Sequence, residues 1–222
     1  MKILDVPQSG KRGVTVSQGG RYGQISRALV IPTNPRTPAQ MLIRNRLSGV
    51  AAMWRNLTQA QRDAWTAAAK ALNSKPRDGQ SGTLTGGQLF SKINISNLTV
   101  GSPVVNEPPS KPAMAILPVT DLVITNAQGA ITLKLTTTDA PADGTMLRVA
   151  APVSAGRTRP AGYVYAGILG NPANGAVDIT DLYTAKFGKP PVGSKVFVSV
   201  NQNTDGWQDI PHEFVCIVPA GA

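Results

Sequence analysis

From residue 38 onward the apolar positions recur at helical spacing. Ile43, Leu47, Val50 and Trp54 follow one another at intervals of 4, 3 and 4, one face of a helix predicted from Pro38 to about Arg55. Arg44, Arg46 and Arg55 fall largely off that face. Thr37-Pro38-Ala39-Gln40 reads as a capping box with proline at the first helical position, and Thr58-Gln59-Ala60-Gln61 as a second. The second helix is expected to run to about Leu72, with Trp65, Ala68, Ala69 and Leu72 on one side. The short connection predicts an antiparallel hairpin. Its expected core is Ile43, Leu47, Val50, Trp54, Leu57 and Trp65, with the two tryptophans near the contact. A third box, Thr85 to Gln88, opens a short helix that carries Leu89, Phe90 and Ile93 and ends near Leu98.

Outside this region the pattern is different. Residues 1–35 hold glycine, proline and basic residues without helical periodicity, and read as an extended arm with one strand, Ile25 to Pro32. So polar an arm cannot offset its own ordering entropy by burial. Residues 101–118 contain five prolines and read as a semi-rigid linker. From Val119 the period becomes two: Ile131, Leu133 and Leu135 alternate with polar residues, and so do Val196, Val198 and Val200 with Lys195, Phe197 and Ser199. Seven strands are predicted, at 119–125, 130–137, 145–152, 162–169, 176–180, 195–201 and 213–218, with Gly-, Asn- and Pro-bearing turns between them. Such a run argues for an antiparallel sandwich of about 100 residues. The expected class is multidomain α+β: arm 1–35, helical segment 36–100, linker 101–118 and sandwich 119–222.

Two resemblances accompany these elements. TDLVITNAQGAITLKLTT, with the later DLYTAKFGKPPVGSKVFVSVNQNTDGW, resembles fibronectin type III or immunoglobulin-like modules of the kind appended to phage virion proteins. The segment with Asn34-Pro35, Thr37, Gln40, Arg44, Trp54, Leu57-Thr58, Gln61-Arg62 and Trp65 is similar to small phage and prophage proteins. Together they imply a virion structural protein of the decoration or display type. Trp54-Arg55-Asn56-Leu57 with Trp65 also resembles the second helix of a high-mobility-group box. Met41 and Leu42 replace the aromatic start of that box, however, and Gly79–Gly87 interrupts where its basic third helix would follow.

Charge sharpens the division of the chain. Of 22 Lys+Arg and 12 Asp+Glu, residues 1–100 hold 14 basic and only three acidic, whereas residues 101–222 hold eight basic and nine acidic. The first half is therefore expected to contact an acidic protein surface or a polyanion, mainly through Lys11, Arg12, Arg21, Arg27, Arg36, Arg44 and Arg46. The expected partners are other virion proteins (major capsid, neck or tail subunits) in a homo-oligomeric or symmetric assembly, with nucleic-acid contact through residues 1–75 as the alternative. A glycan- or receptor-binding surface on the sandwich is a further alternative, drawing on Arg157, Arg159, Tyr163, Tyr165 and Trp207.

Candidate chemistry is sparse. His212 is the single histidine and Cys216 the single cysteine. The first reads as a turn or edge residue and the second as a small core residue. GKPPVGSK reverses the last two residues of a phosphate loop, places two prolines among its amides and leads into a strand, so it reads as a turn. Asn203, Asp205, Gly206 and Asp209 lack the later glutamate of a calcium loop. No catalytic residue, cofactor or metal is expected. Neither a signal peptide nor a membrane span is predicted; the expected setting is the virion, after synthesis in a host cytoplasm.

Overall fold

Both periodicities materialise in the computed structural model, which describes residues 8–20, 23–74, 81–172 and 175–221. Among these the chain mixes four helices with several antiparallel sheets. It divides into two compact units: Met1–Ser91 with Asn106–Pro108, and Lys92–Val105 with Pro109–Ala222.

The first unit opens with an antiparallel sheet of three strands in the order β1 (Gly10–Arg12), β2 (Thr15–Gly20), β3 (Gly23–Ala28). The expectation of an extended arm with a single strand at Ile25–Pro32 is corrected accordingly. Gly13, at φ +56°, takes the first central position of the two-residue β1–β2 turn, which an L side chain would resist. Three strands this short and exposed carry too little apolar alternation to stand out in a periodicity reading.

The helices follow: α1 (Pro38–Asn56), α2 (Gln59–Ala69) and the start of α3 (Gly86–Thr99). The caps explain where they begin. Thr37 accepts at its hydroxyl from the Gln40 amide. At Thr58 and Thr85 the box closes both ways: the hydroxyl accepts from the Gln61 or Gln88 amide, and the glutamine side chain accepts from the threonine amide. Val50, Leu57, Trp65, Ala69, Leu89 and Phe90 form the core, with Trp54 half-buried. The two tryptophans meet around Phe90, whose ring centroid lies 5.4 Å from that of Trp54 and 5.3 Å from that of Trp65. Trp65 Nε1–H donates to the Asn106 carbonyl at 2.7 Å, which draws residues 106–108 into this unit.

Two predicted core residues lie outside the core. Ile43 is 56% and Leu47 50% exposed. Both precede the buried Val50 and the Trp54 ring that packs on Phe90, so the core of this unit covers only the later part of α1.

In the second unit β4 (Val119–Ala127), β5 (Ala130–Thr137) and β8 (Ala176–Asp178) form one sheet in that order. A second runs β12 (His212–Ile217), β9 (Lys195–Asn201), β6 (Met146–Val149), β7 (Val164–Ile168). Leu122, Ile124, Leu133 and Leu135 of the first sheet share a core with Leu147, Val149, Val196, Val198 and Val200 of the second. This arrangement is compatible with a β-sandwich. All seven predicted strands are present, but the fifth stops at Asp178 and the chain turns into an unpredicted helix, α4 (Thr180–Phe187). Its buried Tyr183 donates its hydroxyl to the Ala150 carbonyl at 3.3 Å. A short hairpin, β10 (Asn203–Thr204) and β11 (Trp207–Gln208), turns at Asp205 and Gly206, both at positive φ.

The end of α3 belongs to this second unit, so the division does not fall on the predicted linker boundaries. Ile93, Asn94, Ser96 and Asn97 are buried. Asn94 pairs with the amide and carbonyl of Val105, Ser96 Oγ donates to Asn203 Oδ1 at 2.9 Å, and Gln208 Nε2 donates to Ser96 Oγ at 2.7 Å.

Candidate docking surface

Between residues 8 and 62 there is no aspartate or glutamate. The cations in this stretch are distributed by the fold. Lys11 lies opposite Val16, and Val16 opposite Arg27, so Lys11 and Arg27 share one sheet face; Arg12, opposite Thr15, takes the other. Arg36 is exposed at φ +50°, and its amide donates to Asn34 Oδ1 at 3.4 Å. Arg44 Nη1 donates to that same oxygen at 2.7 Å. One asparagine thus ties the approach to α1 to its first exposed arginine, a role that sequence reading missed. Arg46 is half-buried. Arg21 lies outside the described residues.

Apolar side chains accompany the cations. Val14 is 81%, Ile31 83% and Leu42 51% exposed, and Val30, Ile43 and Leu47 are exposed beside them in sequence. A shallow cleft of about 370 Å³ opens against Ala39, Gln40, Ile43 and Arg44. An apolar seam flanked by guanidinium groups suits an apolar surface with carboxylates at its margins. Bare phosphate would satisfy only half of it.

The proposed contact surface of the second unit does not assemble. Arg157 and Arg159 are exposed, and the Arg157 carbonyl accepts from Lys195 Nζ at 3.0 Å. Trp207, in contrast, is 7% exposed; its Nε1–H donates to the Pro109 carbonyl at 3.2 Å, and Lys92 Nζ sits 5.8 Å from its ring centroid. Tyr165 is half-buried, with its hydroxyl on the Thr99 carbonyl at 3.1 Å. Tyr163 is also half-buried, and its phenol is held above the ordinary range by burial and then by the Glu213 carboxylate. Tyr165 and Trp207 thus tie the unit to chain segments, 99 and 109, that lie far away in sequence.

A second cleft, of about 520 Å³, lies within this unit between Asn97, Asp143, Asn203 and Asp205. Among the described residues no three His, Cys, Asp or Glu side chains group to hold a metal ion. His212 begins the edge strand β12, and Cys216 packs against the core. No helix of the described residues is long and apolar enough to cross a membrane. The chain matches no protein-family model, no curated protein and no solved structure.

Proposed function

We propose that the chain is a non-enzymatic phage virion structural protein that docks on the particle through its first unit and displays the second as an immunoglobulin-like domain. Capsid decoration is favoured over a neck or tail position. The observation that carries the docking role is the uncovered seam of α1, Ile43 and Leu47, flanked by Arg44 and Arg46 in a stretch without acidic residues. Exposed apolar side chains beside clustered like charge are a poor design for a free surface and a good one for an interface. The virion setting itself comes from the resemblance carried by Asn34-Pro35, Thr37, Gln40, Trp54 and Trp65.

Strand order supports the immunoglobulin-like reading. Lettering the seven sandwich strands β4, β5, β6, β7, β8, β9 and β12 in chain order as A to G, the sheets read A-B-E and G-F-C with the fourth strand beside C. Constant-type immunoglobulin domains instead place that fourth strand beside E. The order here thus supports the fibronectin type III side of the resemblance.

Mass spectrometry and electron cryo-microscopy of purified particles test the proposal. The chain is expected at a copy number set by the particle's symmetry; its absence from intact virions contradicts it. Nucleic-acid binding is the second reading, favoured by the uninterrupted positive charge of residues 8–62. It predicts gel-shift affinity that falls steeply with salt.

A further inference from the structure

The apolar seam of α1 is unevenly covered. Ile43, Leu47, Val50 and Trp54 keep the 4-3-4 spacing of alternating d and a positions in a heptad, with Ile43 and Val50 at d and Leu47 and Trp54 at a. Val50 is fully buried, and Trp54 is half-buried against Phe90. One and two turns before Val50, Leu47 and Ile43 are about half exposed. A continuous seam is therefore filled by the chain's own side chains at one end and left open at the other.

The same register places Arg44 at e and Arg46 at g, the positions that face a partner helix across such a seam. No acidic residue occurs anywhere in α1. A second copy laid along it would set arginine against arginine, and like charges across e and g select against that pairing. A nucleic acid would answer the charge but leave Ile43 and Leu47 in water.

We infer that the open half of α1 receives an acidic amphipathic helix from a different protein, with apolar side chains meeting Ile43 and Leu47 and carboxylates meeting Arg44 and Arg46. This rests on the first unit being a docking unit and adds the chemistry of its partner. The partner's apolar residues recur at heptad spacing, and glutamate or aspartate flanks them. The cleft beside Ile43, walled by Ala39, Gln40 and Arg44, takes one of those apolar side chains.

The probe is a labelled synthetic helix of about three heptads with Leu at a and d and Glu at e and g, compared with the same helix bearing Lys at e and g. Both are titrated against the full chain by fluorescence anisotropy. The Glu helix is expected to bind roughly tenfold or more tighter than the Lys helix. Ile43→Ser with Leu47→Ser should abolish binding while leaving the circular dichroism unchanged. Arg44→Glu with Arg46→Glu should reverse the preference. Failure of the Glu helix to bind, equal binding of both helices, or binding undiminished in the serine variant overturns the inference. Self-association that Ile43→Asp abolishes would identify a second copy as the occupant and overturn it. Binding to phosphatidylglycerol vesicles that the serine variant loses would do so in favour of a membrane surface. A chain that discriminates between the helices yet is absent from particles defeats only the virion reading. One present in particles that does not discriminate defeats only this inference.

Discussion

The Trp65 indole meets the Phe90 ring edge-on, at 87° between planes and 5.3 Å between centroids. Phe90 is fully buried and touches both tryptophans of the first unit. Phe90→Ala is expected to destabilise that unit by about 3–5 kcal/mol through the cavity it leaves. Ile43→Ser, at an exposed position one helix away, should stay within about 0.5 kcal/mol of the parent. Urea unfolding followed by tryptophan fluorescence checks both, and equal effects would refute the core described here.

Gly206 combines φ +84° with a close approach: a Cβ there would come within 2.5 Å of Ile93 Cγ2 and 2.6 Å of its carbonyl oxygen. Gly206→Ala should cost about 2–4 kcal/mol, from left-handed strain and overpacking together. Gly129 has a similar φ, +88°, with no atom near its would-be Cβ, so Gly129→Ala should cost about 1–2 kcal/mol from strain alone. Thermal denaturation of the two variants separates the contributions.

Tyr183 is buried, and burial pushes its phenol up to about 12. Because the folded value exceeds the ordinary one, its contribution is complete below pH 10 and lost as pH rises through about 12. Absorbance titration of the phenolates should show late steps from both Tyr183 and Tyr163, and Tyr183→Phe should remove the one near 12 while leaving that of Tyr163. The same variant leaves the Ala150 carbonyl without its donor and should lose about 1 kcal/mol at neutral pH.

Hydrogen bonding from Thr180 holds the Asp178 carboxyl below its ordinary value, with Lys134 across the strand pair adding to the effect. A lowered carboxyl stabilises the fold above the ordinary carboxylate range, and that contribution disappears as pH falls through the lowered value. Carbon-detected NMR titration should place the Asp178 midpoint below 3.8, and Thr180→Ala should move it upward. An unchanged midpoint in that variant would remove Thr180 as the cause.

Much of this architecture is legible in the sequence because local rules act alone there. Thr58 and Gln61 announce α2, and the alternation of Val196, Val198 and Val200 announces β9. Sequence reading fails where distant chain segments decide. Trp207 reads as a surface aromatic until the Pro109 carbonyl caps its indole, and Tyr165 until Thr99 does the same. Ile43 and Leu47 have the periodicity of core residues; they are exposed because the core reaches α1 only at Val50 and, through Phe90, at Trp54. Helix α4 spans barely two turns after Asp178, too few for a periodic signal. In the docking surface, the cations were legible one by one. Their alignment through Val16 and Asn34 was not, because it depends on strand register and on one shared side-chain oxygen.

The central claim is that the open half of α1 seats this chain on a particle. It is tested most directly by supplying the parent chain, or its Ile43→Asp, Leu47→Asp variant, to particles assembled without it, and counting copies by quantitative mass spectrometry. Both positions are solvent-exposed, so the variant should fold as the parent does. The account predicts that the parent is incorporated at a fixed stoichiometry and the variant is not. Equal incorporation of both, or of neither, would contradict it.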